Sequence, residues 1–135
     1  MTVRLPVFVL LCSLALPAAV PAAADDPGWR RLLERDGIVT LLATTPPETT
    51  ADGTRLVRLR RDFSARGDER AYALDQLELD CGRDLYRYRE ILIYDRDGLL
   101  MHRYRLTDQF GPVPADTAVS LARTTACKPA NRRTP

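Results

Sequence analysis

The side chains that could carry chemistry in this chain are few and far apart. There is one histidine, His102, and beyond residue 24 the serines are Ser64 and Ser120. A hydroxyl nucleophile needs a base within hydrogen-bond reach and a third group to orient that base. His102, Ser64 and Ser120 fall on three different predicted elements, so no catalytic residue is assigned and a non-enzymatic protein is expected. One histidine is also too little for a zinc site when both remaining cysteines are engaged elsewhere. No metal and no cofactor are implied. Glu78, Asp80 and Asp84 crowd one hairpin tip like an acid pair, but Arg83 and Arg87 are better partners for them.

The arginines are more informative. Arg58 and Arg60, Arg87 and Arg89, and Arg103 and Arg105 each stand two residues apart, which places both members on one face of a strand. The three pairs together would make a cationic patch able to read a phosphorylated, sulfated or acidic ligand. The plainer alternative is a solvated face, with Glu78, Asp62 and Asp80 pairing crosswise. Hairpin counting sets Arg89 opposite Arg105, and like charges facing each other favour an anion between them.

Charge and cysteine content bound the setting. The 135 residues carry a net charge of +2, which becomes +1 if Arg4 leaves with a leader. Near-neutrality argues against nucleic acid as partner, because that affinity rests on neutralising phosphates. Arg4, the apolar run 5–20 and Ala22-Ala23-Ala24 have the layout of a cleaved export signal over residues 1–24. Pro6 and Pro17 interrupt that run and Pro21 follows it, and it is too short to span a bilayer comfortably. No transmembrane segment is expected after cleavage. The protein is thus expected to be exported through an inner membrane, to the periplasm or the cell surface. A domain over residues 25–128 and a disordered tail over 129–135 would follow. Cys81 and Cys127 then remain as an even pair in an oxidising compartment and are predicted to form a disulfide.

The elements that must position these groups are strands. Residues 29–35 and 38–44 flank Asp36-Gly37, a tight-hairpin pair. Residues 45–53 have breaker composition, with Pro46-Pro47, and form a candidate recognition loop. In residues 54–63, Val57, Leu59 and Phe63 point one way and Arg58, Arg60 and Asp62 the other. Residues 70–81 follow, carrying Ala71, Ala73, Leu77 and Leu79 on the face of Cys81. A two-residue turn at Gly82-Arg83 sets Glu78 opposite Arg87 and Leu79 opposite Tyr86. A three-residue loop with Gly98 left-handed sets Tyr94 opposite Leu100 and Leu92 opposite His102. Tyr86, Tyr88, Tyr94 and Tyr104 read as a core face. Asp116 reads as the N-cap of a helix ending near Ala126, with Ser120 a weak residue inside it. That helix is expected to dock on Ala71, Ala73 and Leu77.

With these residues in view, the chain resembles the surface-adhesin protein E–like family of small exported bacterial proteins. The likeness runs from Trp29 to Cys127. It rests on Trp29, the strand 54–63, Leu77-Glu78-Leu79-Asp80-Cys81 before a tyrosine- and arginine-rich strand, and Phe110-Gly111-Pro112-Val113-Pro114 before a helix ending at Ala126-Cys127. The chain departs from that pattern in its second strand, Ile38-Val39-Thr40-Leu41-Leu42, and at Phe110. The resemblance implies an antiparallel sheet with a C-terminal helix tethered by a disulfide.

The expected fold is therefore α+β: an antiparallel sheet of about six strands, with a C-terminal helix packed on one face and held by Cys81–Cys127. The expected function is a binding or adhesion module of the bacterial envelope, meeting an acidic macromolecule or an envelope protein through residues 45–53 and the arginine face. A periplasmic accessory role in envelope assembly is the alternative. An open edge strand would also permit a homodimer.

Overall fold

The computed structural model describes residues 26–106 and 109–128. The leader expected at residues 1–24 and the tail expected at residues 129–135 lie outside the described residues. No helix among the described residues is long and apolar enough to cross a membrane.

β1 (Trp29–Arg35) turns into β2 (Ile38–Ala43) through Asp36 and Gly37, at φ 53° and 71°. Two left-handed central residues give a primed turn, whose twist matches that of the strands it joins. β3 (Glu48–Thr49) and β4 (Arg55–Asp62) follow, then a 3-10 turn at Ser64–Arg66. β5 (Arg70–Asp80), β6 (Leu85–Asp95) and β7 (Leu100–Arg105) complete the main sheet. β8 (Gly111–Pro112) and the helix α1 (Ala118–Ala126) close the described chain.

All pairings are antiparallel, in the order β1-β2-β4-β5-β6-β7, with β3 added on β4 and β8 on β6. The sheet therefore has eight strands where the sequence predicts about six. The two additional strands are two residues long, too short to show any alternation of apolar and polar residues.

The turns correct two details. Residues 81–84 form a four-residue loop rather than a two-residue turn, with Asp84, not Gly82, in the left-handed region at φ 60°. The Asp80 carboxylate accepts from the backbone N–H of Gly82 (3.1 Å) and Arg83 (3.0 Å), which holds the wider turn. The flanking register is unaffected: Glu78 faces Arg87 and Leu79 faces Tyr86. At the next hairpin Gly98 is left-handed (φ 78°) and Tyr94 faces Leu100, as the sequence predicts. An extra residue at Met101 then slips the ladder by one. Leu92 faces Arg103 instead of His102, and Arg105 faces Glu90 instead of Arg89.

Cross-strand partners share a face, so the register assigns two. One carries Leu42, Val57, Leu59, Leu77, Leu79, Tyr86 and Tyr88; there the first five are buried in one cluster with Val119, Ala122 and Ala126 of α1. Tyr86 and Tyr88 pack against that cluster, but the other two tyrosines do not belong to it. Tyr94 stacks on Tyr72 on the opposite face, ring centroids 4.8 Å apart, and Tyr104 is exposed. The N-cap of α1 is Thr117 rather than Asp116. Ser120 completes a capping box by accepting from the Thr117 N–H at 3.1 Å, so a residue weak in helix interiors satisfies a helix end. Cys81 and Cys127 form the predicted disulfide, with Cα atoms 5.5 Å apart. It joins the β5–β6 loop to the end of α1.

Candidate functional site

Six arginines were singled out by spacing, and the structure divides them. All lie on the face opposite the buried cluster, but four of them are neutralised. Glu78, 2 % exposed, accepts from Arg87 Nε at 2.8 Å, Arg89 Nη1 at 3.1 Å and Thr54 Oγ1 at 2.6 Å. Arg89 can reach that carboxylate because it is the extra residue where the β5–β6 register shifts beside Gln76 and Leu77. Burial pulls the Glu78 carboxyl upward, but the hydrogen bonds from Arg87 and Thr54 and the charge of Arg87 outweigh it. The group is held below its ordinary range. Arg87 also lies 4.4 Å from the centre of the Phe110 ring.

Arg103 pairs with Glu90 at 3.3 Å. Arg60 stands 3.7 Å from both Asp26 and Asp62 and covers the Tyr72 ring at 4.7 Å. The expected clash of Arg89 with Arg105 is absent, because the slip at Met101 brings Glu90 there. Arg58 and Arg105 remain, and neither makes an ion pair or side-chain hydrogen bond among the described residues. Both belong to one row across the sheet, Arg58–Gln76–Glu90–Arg105. A row of four strands spans roughly 14 Å, so the two free cations act separately.

Arg58 borders a cleft of about 340 Å³. The cleft exists because β2 and β3 do not meet along β4. β2 pairs with β4 from Leu59 to Asp62, and β3 pairs with Leu56 and Arg55, leaving Val57 and Arg58 without a neighbour on that side. Thr44 instead follows the start of β1, donating its N–H to Gly28 O at 2.9 Å and its hydroxyl to Pro27 O at 3.2 Å. Pro46 and Pro47 come next; with fixed φ and no N–H, they cannot continue the ladder. The chain arches over the gap and rejoins β4 at Glu48.

Leu42, Leu56, Val57 and Ala126 give the cleft an apolar floor; Arg30, Arg58, Glu48, Gln76 and Thr125 supply polar groups around it. Arg30 is oriented by a 2.6 Å hydrogen bond to Thr125 Oγ1. The rest of the predicted recognition loop is pinned behind it. Thr50 and Thr54 hydroxyls are 2.6 Å apart, and Thr54 donates its proton to Glu78, so Thr50 is the donor to Thr54. The loop thus ends on the same carboxylate that holds Arg87 and Arg89. A few convergent polar groups over an apolar floor suit one end of an anionic ligand.

One charged pair escaped the sequence reading. Arg61 and Asp75 stand on the face of the buried cluster, joined by two hydrogen bonds of 2.7 and 2.8 Å. Asp75 is 1 % exposed. Burial raises its pKa and the Arg61 hydrogen bonds and charge pull it back; the net shift is upward. Burial likewise lifts the neighbouring Tyr88 hydroxyl, with the Asp75 charge adding to it. The signal was present in the alternation Val57, Leu59, Arg61, Phe63 and Ala73, Asp75, Leu77, where opposite charges occupy core positions on adjacent strands. Ser64 hydrogen-bonds Asp62, Ser120 caps α1, and His102 lies beside Tyr104 with ring centroids 6.0 Å apart. Among the described residues no group of three or more His, Cys, Asp or Glu is placed to hold a metal ion.

Compared with known proteins, the chain matches no family model, no curated protein and no solved structure.

Proposed function

We propose that this chain is an exported, non-enzymatic binding module of the bacterial envelope, akin to surface-adhesin protein E–like proteins. It holds an anionic group of an acidic macromolecule in the cleft beside Arg58. The observation that carries this reading is the contrast among the arginines. Four of the six are neutralised by carboxylates, whereas Arg58 has no partner among the described residues and lies on the one cleft that the proline arch creates. An arginine fork is suited to carboxylate, sulfate or phosphate oxygens. The arginine face as a whole is not the binding element in this reading; its other members lock the sheet. The C-terminal helix lies over the opposite face and the disulfide keeps it there, which suits a domain outside the reducing cytoplasm.

Retention on immobilised heparin, a sulfated polyanion, tests the reading. The wild-type chain is expected to bind and to elute as salt rises. Arg58→Ser should weaken binding about tenfold, the worth of one charge-assisted hydrogen bond. Arg31→Ser, which removes an equal charge from an exposed pair with Glu34, is the control and should have little effect. Equal elution of all three chains would overturn the assignment to the cleft.

A further inference from the structure

We infer that β7 is a strand-addition site for an extended segment of another protein in which acidic and apolar residues alternate. The two ends of the sheet differ. β1 and β7 are terminal in the order, so each presents a row of backbone groups outward. β1 is dressed with charge at Arg30, Arg31, Glu34 and Arg35. Two of these tie it to the helical segment: Arg30 to Thr125, and Arg35 to the Asp116 carbonyl at 3.1 Å.

β7 is different. Among the described residues the exposed large hydrophobic side chains are Leu99 at 66 %, Leu100 and Tyr104 at 47 %, Leu106 at 41 % and Leu121 at 40 %. The first four lie on β7 or directly beside it. Apolar side chains exposed along an open strand edge, Leu100 on the arginine face and Tyr104 on the face of the buried cluster, mark an interaction surface or an aggregation hazard.

Charge chooses the occupant. β7 reads Leu100-Met101-His102-Arg103-Tyr104-Arg105 and carries no acid. Arg103 is matched by Glu90, but Arg105 is without a partner among the described residues. A second copy laid antiparallel on this edge and centred on residue 103 or 104 brings arginines of one strand against those of the other. Centred on residue 103, it sets Arg103 opposite Arg103; centred on residue 104, it sets Arg103 opposite Arg105. Like charges directly opposite are unfavourable. Side chains of a strand alternate between faces, so an added strand with acids facing Arg105 and apolar residues facing Tyr104 complements both.

The probe is a nine-residue peptide of alternating Glu and Val, with a Lys and Val peptide of the same length as control. Amide hydrogen exchange over the full chain is the readout. The Glu peptide should slow exchange at residues 100–106 by tenfold or more, and the Lys peptide should not. Arg105→Glu, an exposed substitution that leaves the buried cluster alone, should reverse the preference; Arg105→Gln should weaken it without reversal. The inference is overturned if both peptides act alike, if protection maps elsewhere, or if millimolar peptide leaves the edge unprotected. It is also overturned if β7 is protected without peptide in a concentration-dependent dimer, since a second copy is then the occupant.

Discussion

Thr54 donates a 2.6 Å hydrogen bond to Glu78, and through it the β3–β4 hairpin is fastened to the arginines of β6. Glu78 is the centre of this face: it fixes the back of the loop while Arg58, on the same face, stays free. Its acceptors are satisfied from three sides, which a buried carboxylate needs to remain ionised.

The first prediction follows from that carboxylate. Its folded pKa lies below the ordinary 4.5, so it contributes stability above that value and loses it as pH falls through the lowered folded pKa. Glu78→Gln should cost about 2 kcal/mol at pH 7, the scale of hydrogen bonds to a charged group. Urea unfolding should show the gap between wild type and variant closing as pH falls well below 4.5. A gap that stays constant would mean the charge contributes nothing.

The second concerns Arg61 and Asp75, where the sign is opposite. The Asp75 pKa is raised by burial from its ordinary 3.8, so its ionisation removes stability as pH rises through the folded value. Arg61 limits that loss. Arg61→Leu should therefore destabilise the fold by about 3 kcal/mol at pH 7, the lower end for breaking a buried pair, since Arg61 keeps 33 % of its side chain in water. The deficit should shrink on acidification towards pH 4. Unfolding curves at pH 4 and pH 7 decide this.

The third concerns the disulfide. It spans 46 residues, and the chain-entropy model gives about 4 kcal/mol for a closed loop of that size. Cys81→Ser with Cys127→Ser should lower unfolding stability by up to that amount. Free of the tether, α1 should show faster amide exchange than β5, because nine residues make a marginal helix.

The fourth concerns location. A tag placed after Pro135 should be lost when intact cells are shaved with protease if the domain reaches the surface. Full protection, with release by osmotic shock, would favour the periplasmic accessory role.

Much of this architecture is legible in the chain because its signals are local. Asp36-Gly37 and Gly98 mark their turns through the left-handed backbone they adopt, and alternation separates Leu77 and Leu79 from Glu78. The bulge at Met101 leaves no such mark. It arises where two strands must accommodate each other's twist, and it decides whether Arg105 meets Arg89 or Glu90. The cleft is half legible: Pro46-Pro47 announces a break, but only the paired strands show that Val57 and Arg58 are left uncovered. Which arginines are free depends on carboxylates distant in sequence, as with Glu78 and Arg89.

The most direct test is a backbone amide NMR titration of the full chain with a heparin tetrasaccharide at low salt, repeated with Arg58→Ser. Saturable shifts confined to Thr44, Thr45, Glu48, Arg58, Gln76 and Thr125, weakened by salt and lost in the variant, are the predicted result. Shifts that persist unchanged in Arg58→Ser, or that centre on Arg87 and Arg103, would contradict a binding site in the cleft.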